Sequence, residues 1–317
     1  MAGEVNPDIQ PEQPDIAELR RDLILGLSEA QPRLSPRWLY DARGSELFGL
    51  ITEQPEYYLT RVEQRIYDVH GREMAEAVSG EPVTVLEPGS GASLKVAALL
   101  EHLPDGSRYV GYDISPSALE QAEQELSARF PRLDISSVVG DFTAGLPELP
   151  ADQPRVLFFP GSTIGNFSPE RASDLLVRFA GAADRMILGS DLWKDPQRLR
   201  AAYDDAAGYS SAFAINSLAH LVARELVDVD KDAFDYEVVV CSERHRVEMY
   251  LTPRVAVTMR IGDWTRTLEA GERIQTECSY KPTVAELQGF AAEAGWRTRQ
   301  VITDEGGDFG VFRMERT

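Results

Sequence analysis

The spacing of apolar positions changes character twice along the chain. From Asp15 to about Glu29, Ile16, Leu19, Leu23 and Leu27 recur at helical spacing, which predicts a helix. Pro32 and Pro36 then break the chain, and residues 37–60, RWLYDARGSELFGLITEQPEYYLT, read as a short helix between two aromatic loops. Thr60 with Glu63 three positions on has capping-box spacing and predicts a helix from there to about Val78. At Val83 the pattern becomes one of short continuous apolar runs: VTVLE, then runs near 108–112, 134–140, 155–160 and 185–190. Helical stretches at 92–103, 116–129 and 168–181 separate them. Strands covered on both faces lose the in–out alternation, so this succession predicts a doubly wound, mainly parallel α/β sheet. After about Lys194 the alternation stops. Residues 197–226 read as helix interrupted near Gly208. The runs YEVVVCS, RVEMYLTP, VAVTMRI and RIQTECSY between 236 and 280 have no helix among them and predict a small antiparallel sheet. Residues 283–294 return to helix, and 297–303 with 309–314 read as a hairpin suited to finishing the first sheet.

Composition narrows the partners. Of 317 residues, 43% are hydrophobic and 26% charged, which is globular usage. Lys and Arg total 32 against 52 Asp and Glu, a net charge of −20 that repels phosphate backbones and anionic lipid, so neither nucleic acid nor membrane is expected as a partner. Cys241 and Cys278 form no CxxC pattern; they rule out a disulfide framework and a cysteine zinc site and leave room for one disulfide. His70, His102, His220 and His245 fit no ligand spacing, and no metal is expected. Residues 1–14, with Pro7, Pro11 and Pro14, read as a loose tail unlike a signal peptide, and no apolar stretch approaches the roughly 18 residues of a spanning helix. A soluble, cytoplasmic protein is the expectation.

The sharpest local signal is Glu87-Pro88-Gly89-Ser90-Gly91-Ala92-Ser93, straight after the first strand of the sheet. Glycines there allow a tight turn and close approach of backbone N–H groups to a ligand. Leu94 stands where the dinucleotide fingerprint needs its third glycine, which disfavours an NAD enzyme. Asp113, about 22 residues after the glycines at the end of the second strand, is placed to accept ribose hydroxyls; its other reading is a helix cap, a role Ser115 fits better. Gly140-Asp141-Phe142 follows the third strand, where an acid beside an aromatic can bond and cover an adenine. Together the three mark the carboxyl edge of an open α/β sheet, where ligands bind. The set looks like class I S-adenosylmethionine-dependent methyltransferases. After the fourth strand, Phe159 to Phe167 offers backbone groups at Gly161 and an amide at Asn166, which is equally suited to a turn or cap.

Beyond these turns the chain resembles the L-histidine Nα-methyltransferases of ergothioneine biosynthesis over almost its whole length. The carrying segments are WLYDARGSELFGLIT (38–52), PEYYLTR (55–61), EPGSGAS-LK (87–95), GDF (140–142) and GSTIGNFSP (161–169). AYDDAAGYSSAF (202–213), VEMYL (247–251), TECS-K (276–281) and GGDFG (306–310) continue it. The sequence departs from the pattern at Pro88, Ala92, Tyr280 and Pro282. The resemblance implies a methyltransferase domain (61–196 and 283–317) with a Rossmann-like sheet, plus a smaller α+β substrate-binding domain (15–60 and 197–282). It implies S-adenosylmethionine as methyl donor, contacted by Gly89, Lys95, Asp113, Asp141 and Phe142. Tyr57, Asn166 and Tyr203 match residues holding the amino-acid end of histidine; Glu277 and Ser279 match those reading the imidazole, with Met249 packed nearby. Tyr40, Phe48, Gly161 and Phe213 match further pocket positions.

The implied chemistry suits these residue types. Asn166 and Tyr203 can donate to a carboxylate, Glu277 can accept from an imidazole N–H and Ser279 can complement the other ring nitrogen. Methyl transfer to the α-amine needs that amine deprotonated, and its ordinary pKa lies near or above about 8. Alignment of nitrogen, methyl and sulfur then supplies most of the catalysis. No catalytic residue is assigned, with Tyr40 and Tyr57 as candidate helpers. Three transfers would give trimethylhistidine, whose ammonium could rest against Phe48, Tyr40 or Phe213. A monomer is expected. Two other readings remain: a related methyltransferase for another aromatic amino acid or amine, and a protein that binds S-adenosylmethionine without turnover.

Overall fold

The computed structural model describes residues 16–317 apart from Ser79 and Ser93, so the expected tail at 1–14 and the last residue of the glycine turn lie outside the described residues. The strands that carry the apolar runs are β1 (Thr84–Pro88), β2 (Arg108–Asp113), β3 (Asp134–Val139), β4 (Arg155–Phe159) and β5 (Arg185–Asp191). They lie parallel, and the C-terminal hairpin β11 (Trp296–Thr303) and β12 (Phe309–Arg316) adds antiparallel to β5. The seven-stranded order is β11-β12-β5-β4-β1-β2-β3, as the hairpin reading expected. The reversal of strand order at β1 and β4 creates the crevice where this class of sheet binds ligands. The class I methyltransferase sheet is therefore present.

Helices cover both faces. On one, α3 (Leu59–Val78) packs Ile66, Met74 and Val78 into a core with Val85, Phe158 and Ile187. On the other, α6 (Pro169–Ala182) and α9 (Val284–Glu293) bury Leu175, Phe179 and Leu287 with Phe159, Leu188 and Trp296. The helix α5 (Pro116–Arg129) joins β2 to β3.

Three sequence expectations are corrected. The stretch at 92–103 is mostly turn, with one short helix, α4 (Ala97–Leu100), because the chain leaves two consecutive glycine bends and meets Pro104 soon after. The Thr60–Glu63 capping box does not form: the helix already starts at Leu59, and Glu63 is turned inward at 1% exposure. A capping box does exist at Thr283 and Glu286, opening α9. Finally, the run between 236 and 280 makes two sheets rather than one. Three strands, β6 (Phe234–Cys241), β7 (Arg246–Pro253) and β10 (Ile274–Tyr280), pair in the order β10-β7-β6; β8 (Val257–Ile261) and β9 (Trp264–Leu268) form a separate hairpin. The sequence reading missed β9, whose short alternating WTRTL lacks a continuous apolar run.

These sheets share a third core with α1 (Ile16–Leu27) and α8 (Tyr209–Ala223): Leu19, Leu23 and Leu27 meet Leu218, Leu251 and Ile274. The remaining α-helices among the described residues are α2 (Ala42–Glu53) and α7 (Pro196–Tyr203), with Gly208 at φ +79° turning the chain between α7 and α8. Cys241 and Cys278 are both free thiols.

Candidate active site

Strands β1, β2 and β3 end side by side. Gly89 and Gly91 lie at φ +72° and +52°, backbone that costs a side chain strain. Their N–H groups, which the sequence reading placed close to a ligand, are both taken by the protein itself. Gly89 N donates to the Tyr112 carbonyl (2.7 Å) and Gly91 N to Asp113 Oδ2 (2.9 Å). What the glycine contributes at position 89 is room: a Cβ there would sit 3.1 Å from the Phe142 ring. Asp113 Oδ1 also accepts from Ser115 N at 2.9 Å, while the Ser115 hydroxyl caps α5. Asp113 is thus a clamped acceptor with lone pairs to spare rather than the helix cap. Asp141 Oδ1 accepts from Thr143 N (2.7 Å) and Oγ1 (2.6 Å), fixing the loop that carries Phe142, whose ring lies edge-on to Phe159 and Phe167.

Below the turn, Glu87 is fully buried. Its Oε2 accepts from the Tyr109 hydroxyl at 2.7 Å, but Oε1 has no partner among the described residues, and burial pushes the carboxyl up to about 8. An unpartnered buried carboxyl oxygen at Glu87, a Cβ-free cradle at Gly89 and a clamped carboxylate at Asp113 fit a polar ligand that carries hydroxyls. The residues present therefore suit S-adenosylmethionine.

On the other side of the β4 loop lies a cavity of about 700 Å³ with its mouth included. All ten expected pocket residues line it: Tyr40, Phe48, Tyr57, Gly161, Asn166, Tyr203, Phe213, Met249, Glu277 and Ser279. Its apolar wall is an aromatic cluster, with Tyr40 edge-on to Phe48 (5.8 Å) and Phe213 (5.2 Å) and Tyr57 edge-on to Tyr203 (6.2 Å). Burial, and after it Glu277 for Tyr40 and Tyr203 for Tyr57, pushes both hydroxyls up, so they stay protonated and are donors rather than bases.

Glu277 sits opposite Met249 in the β10–β7 register, just after a β-bulge between Gln275 and Glu277. It keeps some surface toward the cavity but is enclosed by protein, and its carboxylate makes no hydrogen bond to any described residue. Burial raises its pKa to about 7 against the opposing pull of Lys281. Ser279, two residues on along β10, accepts at 3.1 Å from the Tyr203 hydroxyl. The two residues expected at opposite ends of the substrate are therefore in contact with each other.

Several residues at this site escaped sequence reasoning. Lys281, 0% exposed, donates to Tyr203 Oη at 2.6 Å and pairs with Asp191 at 2.9 Å. Asp191, also 0% exposed, holds Lys194 and the Tyr58 hydroxyl as well. Ser162, left-handed at φ +56°, is held there as its hydroxyl accepts from Asp191 N at 3.0 Å. Tyr236 lines the cavity and bonds the Tyr203 carbonyl at 2.8 Å. Lys281 and Asp191 stood in quoted motifs and runs, but one-dimensional spacing says nothing about a pair 90 residues apart. Lys95, 17% exposed, connects the two halves: a Cβ on Gly161 would lie 3.6 Å from its ammonium.

The sequence family described as histidine-specific, S-adenosylmethionine-dependent methyltransferases matches residues 19–316. The chain is 40% identical to the histidine N-alpha-methyltransferase of Mycolicibacterium smegmatis, over 92% of this chain and 93% of that protein. It is 39% identical to the protein of the same name from Mycobacterium tuberculosis, with the same coverage. Ergothioneine biosynthesis protein 1 of Neurospora crassa is 30% identical over 90% of this chain, which spans 35% of that longer protein.

Proposed function

The chain belongs to the histidine-specific, S-adenosylmethionine-dependent methyltransferases, and from that premise we propose that it methylates the α-amine of L-histidine three times, to trimethylhistidine (hercynine), in ergothioneine biosynthesis. Histidine is its substrate and S-adenosylmethionine its methyl donor, supplying an electrophilic methyl on sulfonium sulfur when bound. The observation that carries the substrate reading is Glu277, a carboxylate with no hydrogen-bond partner among the described residues, facing a cavity whose other polar side chains are Tyr, Ser, Thr, Asn and Lys281, the last already paired with Asp191. Such a group calls for a substrate N–H, and imidazole supplies one.

In this reading Glu277 accepts from the ring and Ser279 meets its other nitrogen. Tyr57, Asn166 and Tyr203 hold the amino-acid end. Lys281 donates to Tyr203 Oη and the Tyr203 hydroxyl donates to Ser279 Oγ, so a buried ammonium, Tyr203 and Ser279 form one chain of hydrogen bonds along the cavity wall. Tyr40, Phe48 and Phe213 face the growing ammonium with ring surface. Gly89, Lys95, Asp113, Asp141 and Phe142 hold the donor. The domains then divide as 61–196 with 283–317 for the donor, and 15–60 with 197–282 for the substrate, acting as a cytoplasmic monomer without nucleic acid or membrane.

Mass spectrometry of histidine incubated with the protein and S-adenosylmethionine tests the reaction. The expected products carry one, two and then three added methyl groups, with the last accumulating. Accumulation of the monomethyl product alone would reject the trimethyl assignment; no histidine product would reject the substrate. For the donor site, Asp113→Ala is expected to weaken S-adenosylhomocysteine binding by about 1.5–3 kcal/mol, the range for hydrogen bonds to a charged acceptor. Unchanged calorimetric affinity in a folded variant would remove Asp113 from the site.

A further inference from the structure

We infer that Glu63 is a positioning residue for methyl transfer, holding the donor-side and substrate-side loops in one register; the inference rests on the functional reading above. Glu63 lies in the second turn of α3, directly after the aromatic segment that carries Tyr57. Its side chain is 1% exposed and makes three contacts to three different places. Oε2 accepts from Lys95 Nζ at 2.6 Å, on the segment leaving the glycine turn. Oε1 accepts from the Gly161 backbone N–H at 2.7 Å, at the head of the loop that carries Asn166. The Tyr67 hydroxyl, one helical turn on, donates to the same oxygen at 3.0 Å and sets the rotamer.

The surroundings are shaped to admit this carboxylate. A Cβ at Gly189 in β5 would lie 2.4 Å from Glu63 Oε1, so only glycine leaves space for it. Gly161 is at φ +79° and is followed by left-handed Ser162, a backbone pair that needs outside support to hold. Glu63 supplies it through the Gly161 N–H, and Asp191 supplies it through Ser162. A carboxylate is the one side chain that can accept from an ammonium and a backbone N–H at once while offering no donor to either. Glu63 is not among the residues lining the cavity; its contacts are to Lys95, Gly161 and Tyr67. It fixes the separation of Lys95 from Gly161, and so of the donor from the amine. Methyl transfer is sensitive to that separation, since misplacement by about 1 Å costs roughly a hundredfold.

The test compares wild type with Glu63→Gln, which keeps the size and an accepting oxygen but loses the charge and places an NH₂ against a donor. Glu63→Asp, which keeps the charge but shortens the reach, serves as the second variant. Each is assayed for histidine methylation at saturating donor and histidine, and kcat is divided by the binding-competent fraction from calorimetric titration with S-adenosylhomocysteine. A positioning role predicts that kcat per competent molecule falls about ten- to a hundredfold in Glu63→Gln and by a lesser factor in Glu63→Asp. It also predicts that adding Lys95→Met to Glu63→Gln costs much less than Lys95→Met costs alone. A purely structural role would lower the melting temperature and leave kcat per competent molecule within twofold; that result, in whichever variant folds, overturns the inference. Full multiplication of the Glu63 and Lys95 effects overturns it as well. Wild type without histidine turnover would instead overturn the functional reading. In that case S-adenosylhomocysteine affinity still decides: at least fivefold weakening in Glu63→Gln supports the hold on Lys95, and no change refutes it.

Discussion

Glu277→Ala is expected to cut histidine turnover by a factor of about ten to a few hundred, taking about 1–3 kcal/mol for an unpaired substrate N–H and 1.4 kcal/mol per decade. Its activity on tryptophan or phenylalanine should hold or rise. The reason is geometric. Glu277 is cross-strand to Met249, so the polar reader of the ring and the apolar wall beside it share one place in the β10–β7 ladder. Sites built on polar pairing reject analogues that lack the group, whereas apolar walls discriminate weakly. Glu277→Ala with Met249→Val removes the acceptor and widens the wall, and should shift preference further toward large rings. Competition between equal histidine and tryptophan on wild type and both variants checks this; an unmoved preference ratio would discard Glu277 as the specificity residue.

The raised pKa of Glu277, about 7, adds a pH signature. The sign follows from burial, which disfavours the charged form. Below about 7 the carboxyl takes up a proton and stops being a charged acceptor, so kcat/KM for histidine should fall there beyond the fall caused by protonation of the substrate amine. Glu277→Gln does not titrate, and its acid limb should be one unit of slope shallower than that of wild type. Folding is linked in the opposite sense. The folded carboxyl resists ionising while the unfolded one releases its proton near 4.3, so this group lowers stability as pH rises from there to about 7.

Asp191→Ala is expected to cost about 3–5 kcal/mol of stability. Asp191 is wholly buried, and its removal strands two ammonium groups: Lys281, fully buried, and Lys194, 7% exposed. Breaking a buried ion pair from one side leaves an uncompensated charge, which is why the loss exceeds the value of the bond itself. Since ordinary stabilities are about 5–15 kcal/mol, that is a large share of the whole. Urea unfolding with a common slope gives the measurement, and a shift under 1 kcal/mol would contradict the assignment. The double variant Asp191→Leu with Lys281→Met should recover part of the loss, because apolar replacement of both partners removes the stranded charge.

How much of this was legible in one dimension follows the range of each interaction. Continuous apolar runs at strand length, alternating with helical periods, determined the parallel sheet, because a strand buried on two faces has no other pattern. The turn residues at the ends of β1, β2 and β3 were legible because glycine, aspartate and an aromatic sit at fixed offsets from strands, and neighbouring strands bring those offsets together. The pocket residues were legible only through the family resemblance; spacing alone left Asn166 equally suited to a turn or cap and gave no reason to single out Glu277. Tertiary structure decided everything that depends on a partner far along the chain. Thr60 and Glu63 have the spacing of a capping box, yet Glu63 lies on the face of α3 that meets the sheet, and Lys95 and Gly161 offer it a charge and a donor that a helix end cannot match. Burial turned Glu277 from one acid among many into a carboxyl titrating near neutrality. The sequence by itself determined local conformation and which faces are apolar, since those depend on neighbours within a few residues. Only the fold determined which polar groups lose water together, and that loss of water gives Glu63, Asp191, Lys281 and Glu277 their chemistry.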